Sequence, residues 1–241
     1  MPPIRAHSTL IIGGAQIFIA SSNNDRVEST VQKIKASDPN TSLKGFTIDL
    51  EAAYVEERLE KLFADVVEAN GGERLDHIVY IAARFDFRPV NAVTVEWLRS
   101  RAMNQFFIVV PLLIAKVGTR FLKESYKSSL IFTSGRITEK AVKGLAVAAA
   151  YSTGLAGLVK TLALEAAPIR VKLVSPGTTD TEVQGPDGSE KRLKSMAAAG
   201  ASSILGKVGA PEEVAEAYLY LMKDWNATGS VVSTSGGVLL Q

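Results

Sequence analysis

Thr133-Ser134-Gly135-Arg136 sets a hydroxyl and a guanidinium at the end of a β-branched apolar run. A guanidinium at the mouth of an otherwise apolar pocket can donate hydrogen bonds to a carbonyl and stabilise negative charge as it develops. The same Arg136 also fits a surface position paired with Glu139 or Asp180, and Ser134 also fits a turn residue bonding its own backbone. Earlier in the chain, Ala20-Ser21-Ser22-Asn23-Asn24 with Arg26 just beyond groups small hydroxyl and amide donors near a cation, which suits a phosphate. Those residues fit a helix cap equally well. There is no cysteine, and the two histidines, His7 and His77, are too few for a histidine cluster. Disulfides and thiolate metal sites are excluded, no metal is expected, and redox work would need a borrowed cofactor. With 27 basic residues against 25 acidic ones and no Lys/Arg run, a nucleic-acid partner is not expected.

Positioning these groups requires a scaffold, and its period is readable. Short apolar runs alternate with longer amphipathic stretches, the pattern of a parallel sheet covered on both faces by helices. The runs Thr9–Ile12, Gln16–Ala20, Leu43–Ile48, His77–Ala82, Ser129–Thr133, Arg170–Ser175 and Ser230–Thr234 read as strands. Asp25–Ala36, Val55–Asn70, Val95–Glu124, Leu145–Ala166 and Pro211–Lys223 read as helices. Pro211 followed by Glu212 and Glu213 suits a first helical turn, where proline loses no bond and acids meet the dipole. The 241 residues fit one domain, 1–241, of doubly wound, Rossmann-like α/β class. The apolar run Leu10 to Ile12 is too short for a signal segment or a membrane span, so a cytoplasmic location and no membrane partner are expected.

One junction breaks the order. Only Gly13–Ala15 separates the first two strands, whereas parallel neighbours need a crossover of roughly a dozen residues. Either the pair forms an antiparallel hairpin at Gly13-Gly14, or a loop and helix are missing and the chain is interrupted there. We expect the interruption, because every later unit keeps the βαβ rhythm: the first βα unit is truncated or missing.

Several motifs in order resemble the short-chain dehydrogenase/reductase family from Thr9 to Leu239. Leu75 to Ala83 resembles the family's fourth strand, Asn104 its helix asparagine, and Ser175-Pro176-Gly177 with Thr181 the loop that receives nicotinamide. Gly206 to Leu221, Thr228-Gly229 and Gly236-Gly237 are similar to its C-terminal helix and last strand. The resemblance implies NADP(H) as cofactor. Its contacts would be Gly13 and Gly14 at the remnant of the glycine-rich turn, and Ser21, Ser22, Asn23 and Arg26, where an acid would otherwise select NAD. Asp49 and Leu50 would face adenine, and Ala82, Ala83, Pro176, Gly177, Thr179 and Thr181 would complete the trough.

The catalytic pair departs from the family. A tyrosine and a lysine four residues on normally share a helix face, the lysine lowering the phenol's pKa. Tyr151 is followed by Leu155, and the register set by Gly157 to Glu165 places Ala148 and Ser152 at those positions. The candidate catalytic set is therefore Arg136, Ser134, Tyr151 and Asn104, with Tyr151 also readable as a core or interface residue. Ordinary carbonyls should be poor substrates, so the leading expectation is NADP-dependent hydride transfer to an activated small molecule, an iminium ion or conjugated carbonyl. The alternatives are a non-redox cyclase or isomerase and an inactive partner subunit. A homo-oligomer, dimer or tetramer, is expected from the apolar surface of Phe106, Phe107, Val109, Leu112 and Leu113. Thr178–Ser203, the lid in the family, shows no recognisable chemistry, so the substrate is not readable.

Overall fold

The structure is a computed structural model that describes residues 9–13, 16–85, 87–99 and 104–241. A seven-stranded sheet is ordered β3-β2-β1-β4-β5-β6-β7. The strands are β1 Thr9–Gly13, β2 Gln16–Ser21, β3 Ser42–Thr47, β4 His77–Tyr80, β5 Ser129–Thr133, β6 Arg170–Pro176 and β7 Val231–Thr234. Six strands share one direction. The exception is β1, antiparallel to β2 and to β4, with Gly13 opposite Gln16 and Thr9 opposite both Ala20 and Tyr80. This corrects the expected interruption. Two residues separate the paired Gly13 and Gln16, the length of a tight hairpin connection, so the chain returns beside itself by reversing β1 rather than by a crossover.

Helices α1 Asn24–Ser37, α2 Val55–Ala69, α3 Val95–Arg99, α4 Val110–Gly118, α5 Ala146–Glu165, α6 Glu190–Ala201 and α7 Pro211–Lys223 follow in chain order. Period-2 alternation sends Phe18, Ala20, Ile78, Tyr80, Leu130, Phe132, Val171 and Leu173 into one large core beneath α2, α4 and α5. The long, apolar α5 matches a membrane span by length and composition, yet Ala148, Leu155, Val159 and Leu162 bury one of its faces in that core. On the other face the core is split. Ile19, Val27 and Leu43 pack under α1, while Val79, Ile131, Val174, Ala217 and Leu221 pack under α7. The two clusters lie on either side of the position that a β1–β2 crossover helix would cover.

The described residues of Val95–Glu124 are not regular α-helix throughout. A π-helical turn, Gln105–Val109, precedes α4, and a 3-10 turn, Thr119–Phe121, follows it. Pro111 has no N–H to bond back toward Phe107, and a widened turn just before it accommodates the missing bond. Phe106 and Phe107 are buried in the monomer, and of the five residues expected on an oligomer surface Leu112 alone is clearly exposed. At the opposite end of the sheet from the C-terminal strand ends, two buried cations close α7. Arg170 donates to the carbonyls of Leu221 (2.8 Å), Met222 (3.0 Å) and Asp224 (2.8 Å), and Lys172 to those of Leu221 and Asp224. These carbonyls have no partner within the helix, and cations suit the negative end of its dipole. Burial, with Arg170 beside it, pulls the Lys172 ammonium down to about 7.

Candidate functional site

Because six strands are parallel, their C-terminal ends fall on one edge, where open α/β sheets build their sites. Ser21, the Asp49–Leu50 turn, Ala82 and Ala83, Ser134 with Arg136, and Pro176-Gly177 follow β2, β3, β4, β5 and β6 at that edge. Gly13 does not join them. Reversal of β1 carries it to the edge where the parallel strands begin, opposite Gln16 and one residue beyond the Ile12–His77 pair. Gly14 lies outside the described residues. Among the described residues, then, no glycine-rich turn and no helix N-terminus stands at the middle of the site edge, where a dinucleotide's pyrophosphate would need N–H donors.

The flanks are better formed. Gly177 donates its N–H to the Thr234 carbonyl (3.0 Å), and a Cβ added to it would stand 2.8 Å from the Ser235 Cα, so only glycine allows this approach. Thr179 donates to the Gly177 carbonyl (3.2 Å) and pairs with Gly209, while the Thr181 carbonyl accepts from Gln184 (3.0 Å). On the other flank Asn23 caps α1, its Oδ1 accepting from the Arg26 N–H at 2.8 Å, which is the capping role open to it in the sequence. Ser22 is exposed and Arg26 half-buried; the Ser21 hydroxyl is buried without a hydrogen-bond partner. Asp49 accepts from the Glu51 N–H (2.9 Å) in a turn of its own, and Leu50 and Ala82 are buried.

The catalytic candidates divide. Ser134 Oγ shares a 2.6 Å hydrogen bond with Thr138 Oγ1, the turn role available to such a serine. Arg136 opens the 3-10 turn Arg136–Thr138 and forms no ion pair among the described residues. Asp180, one expected partner, is held instead by Arg192 at 2.8 Å from Nε. Tyr151 packs against the main core, while Ala148 and Ser152 are each only 3% exposed on α5, so no phenol–ammonium pair is assembled. Asn104 sits at the entry to the π-helical turn. Its neighbour Gln105, which sequence reasoning passed over, is the buried anchor: Nε2 donates to the Leu50 carbonyl at 2.7 Å. Tyr80 Oη donates to the Phe106 carbonyl at 3.0 Å, and burial holds that phenol well above the usual tyrosine range. Also unforeseen is an aromatic shelf after β4, where the rings of Phe85 and Phe87 stack at 5.4 Å and remain half exposed. Its only sequence signal was Phe85 and Phe87 two apart after a strand.

A cavity of about 470 Å³ opens beside Arg136 and Thr178, roofed by the end of α6 and by the turn after β7. The site is thus a pocket at the C-terminal edge of a parallel sheet, with the Arg136 cation in its lining and Thr178, which follows the braced Pro176-Gly177 loop, beside it.

Fold and site together define a Rossmann-like α/β protein with its pocket at the strand ends, and the SDR-like Rossmann domain matches residues 5–241. The chain belongs to the short-chain dehydrogenase/reductase family. It is 44% identical to the short-chain dehydrogenase/reductase ATR9 of Stachybotrys chlorohalonatus over 257 residues, covering 100% of both chains. That stretch is longer than the 241 residues here, so the relative carries residues that this chain lacks. The fold superposes on the MalC reductase/Diels-Alderase of Malbranchea aurantiaca with a TM-score of 0.84 at 32% identity, covering 93% of this chain and 86% of that one. It also superposes on a small-chain dehydrogenase in complex with NADPH, with a TM-score of 0.71 at 27% identity, covering 88% and 93%.

Proposed function

We propose that this chain catalyses a cyclisation or isomerisation of a conjugated small organic molecule in the pocket beside Arg136, without a nicotinamide cofactor. The observation that carries this reading is the reversed β1. A dinucleotide spans the site edge and its doubly charged pyrophosphate lies at the middle, where Gly13 has been carried to the far side of the sheet. The described residues therefore fit the two ends of NADP and do not fit its centre, and no step is routed through it. With Ala148 and Ser152 in place of the phenol and ammonium, the remaining resource is electrostatic.

A substrate carbonyl accepts hydrogen bonds from the Arg136 guanidinium. As the new bond forms, electron density moves onto that oxygen, and a fixed donor at such a position is worth roughly 3–4 kcal/mol. Holding the reacting ends together in the pocket supplies the rest. The atoms of substrate and product are the same, so no reductant is needed. MalC is described as a reductase/Diels-Alderase, and a cycloaddition likewise transfers no hydride.

The second reading is an atypical NADP-dependent reductase of an iminium ion or conjugated carbonyl. It is supported by the family and by the flanks, with Ser21, Ser22 and Arg26 toward a 2′-phosphate and Pro176, Gly177, Thr179 and Thr181 toward nicotinamide. We also propose a cytoplasmic location, and a homo-oligomer whose interface does not rest on Phe106 and Phe107, which are buried within the chain. The experiment is to incubate the purified chain with an aryl dienone and follow its absorbance with and without NADPH. Consumption independent of NADPH supports the first reading. Consumption only with NADPH, matched by loss of the reduced cofactor, overturns it in favour of the second.

A further inference from the structure

The cavity beside Arg136 has a composition that specifies its ligand further than the pocket alone. At about 470 Å³ it is within the range of small-molecule sites. Its lining includes the apolar Leu205, Val208 and Val238 and the hydroxyl-bearing Ser202, Thr234 and Ser235. The charges on it can be accounted for one by one. Lys207 and Glu213 both line it, but Lys207 Nζ is bonded to Glu213 Oε1, and Glu213 Oε2 accepts the Ala210 N–H at 2.8 Å. That pair is closed. Asp180 is clamped by Arg192. Arg136 is left as a cation without an ion pair among the described residues, so the lining carries one uncompensated positive charge.

The hydroxyls are not free for a ligand: Ser202 Oγ already donates to the Ala199 carbonyl (3.0 Å), and Thr234 Oγ1 is shielded from solvent and so is not presented to the cavity. The planar guanidinium of Arg136 is left to match the two oxygens of a carboxylate. A phosphate dianion would call on a second cation, and Lys207 is already committed.

We propose that this cavity binds the carboxylate end of an amphipathic monoacid, with Arg136 on the anion and Leu205, Val208 and Val238 on its apolar body. The inference rests on the proposed function in one respect: the acid is taken as a ligand of the same pocket that competes with the substrate carbonyl for Arg136. The test is calorimetric titration of the whole chain with 4-phenylbutanoate and with its methyl ester, repeated for Arg136→Gln, Arg136→Lys and Ser202→Leu. The acid should bind about tenfold more tightly than the ester. Arg136→Gln should abolish that preference, Arg136→Lys should retain part of it, and Ser202→Leu should exclude both probes by filling the cavity. An ester bound as tightly as the acid, or an acid preference that survives Arg136→Gln, overturns the proposal. Acid preference in a chain that leaves the dienone untouched would refute the catalytic reading and keep this one. Dienone turnover without acid preference would do the reverse.

Discussion

Among the described residues Arg136 has no carboxylate to neutralise it, since Asp180 is held by Arg192 and Glu213 by Lys207. We therefore expect Arg136→Gln to slow turnover of a conjugated substrate by roughly 100-fold, with a melting temperature close to that of the parent, because no ion pair is lost. Equal rates in the two proteins would remove Arg136 from the mechanism. Tyr151→Phe should leave turnover within about twofold, as the ring packs on the core and the pair it would need is absent; steady-state rates decide. Gly177→Ala should destabilise the chain by about 1–3 kcal/mol, read from denaturant melts, because the new methyl group would stand 2.8 Å from the Ser235 Cα. What was legible at this scale is position: Ser134 and Arg136 follow β5, and Ala148 and Ser152 lie on α5, as residue order implies. What was not legible depends on contacts between distant segments. Thr138 occupying the Ser134 hydroxyl, and Gln105 reaching 55 positions back to Leu50, have no local signature.

Among the elements, the alternating strands and the helices that cover them were readable because period 2 and period 3.6 are written into burial. The helix expected from Val95 to Glu124 was read as regular because its apolar content masks Pro111, and the π-helical turn beside that proline shows only once the backbone is traced. The cations Arg170 and Lys172, in a run read only as a strand, are buried and terminate α7. Their neighbourhood also sets a pH response. His77 shares a 2.9 Å hydrogen bond with Ser129, and burial, with Arg170 nearby, lowers its pKa from 6.5 to about 4. The folded state therefore holds this imidazole neutral where the unfolded chain would protonate it, so its contribution is complete above about pH 6.5 and is lost as pH falls toward 4. The melting temperature should fall across that window, and His77→Gln should flatten the fall. An unchanged slope in the variant would show that His77 does not titrate as described.

For the whole molecule, the decisive feature is one strand running against six. Reversing β1 keeps the sheet at seven strands, but it leaves the core under α1 separate from that under α7 and moves Gly13 away from the strand ends. The sequence made the conflict visible, since three residues cannot return along a strand, but it did not say whether the chain would break or the strand would turn round. Titration of NADPH fluorescence with the purified full chain tests the central claim most directly. Our account predicts no saturable change through the millimolar range, because the described residues supply no donors at the middle of the site edge for the pyrophosphate. Saturable binding at micromolar concentration, lost on Arg26→Ala, would contradict it and restore the reductase reading.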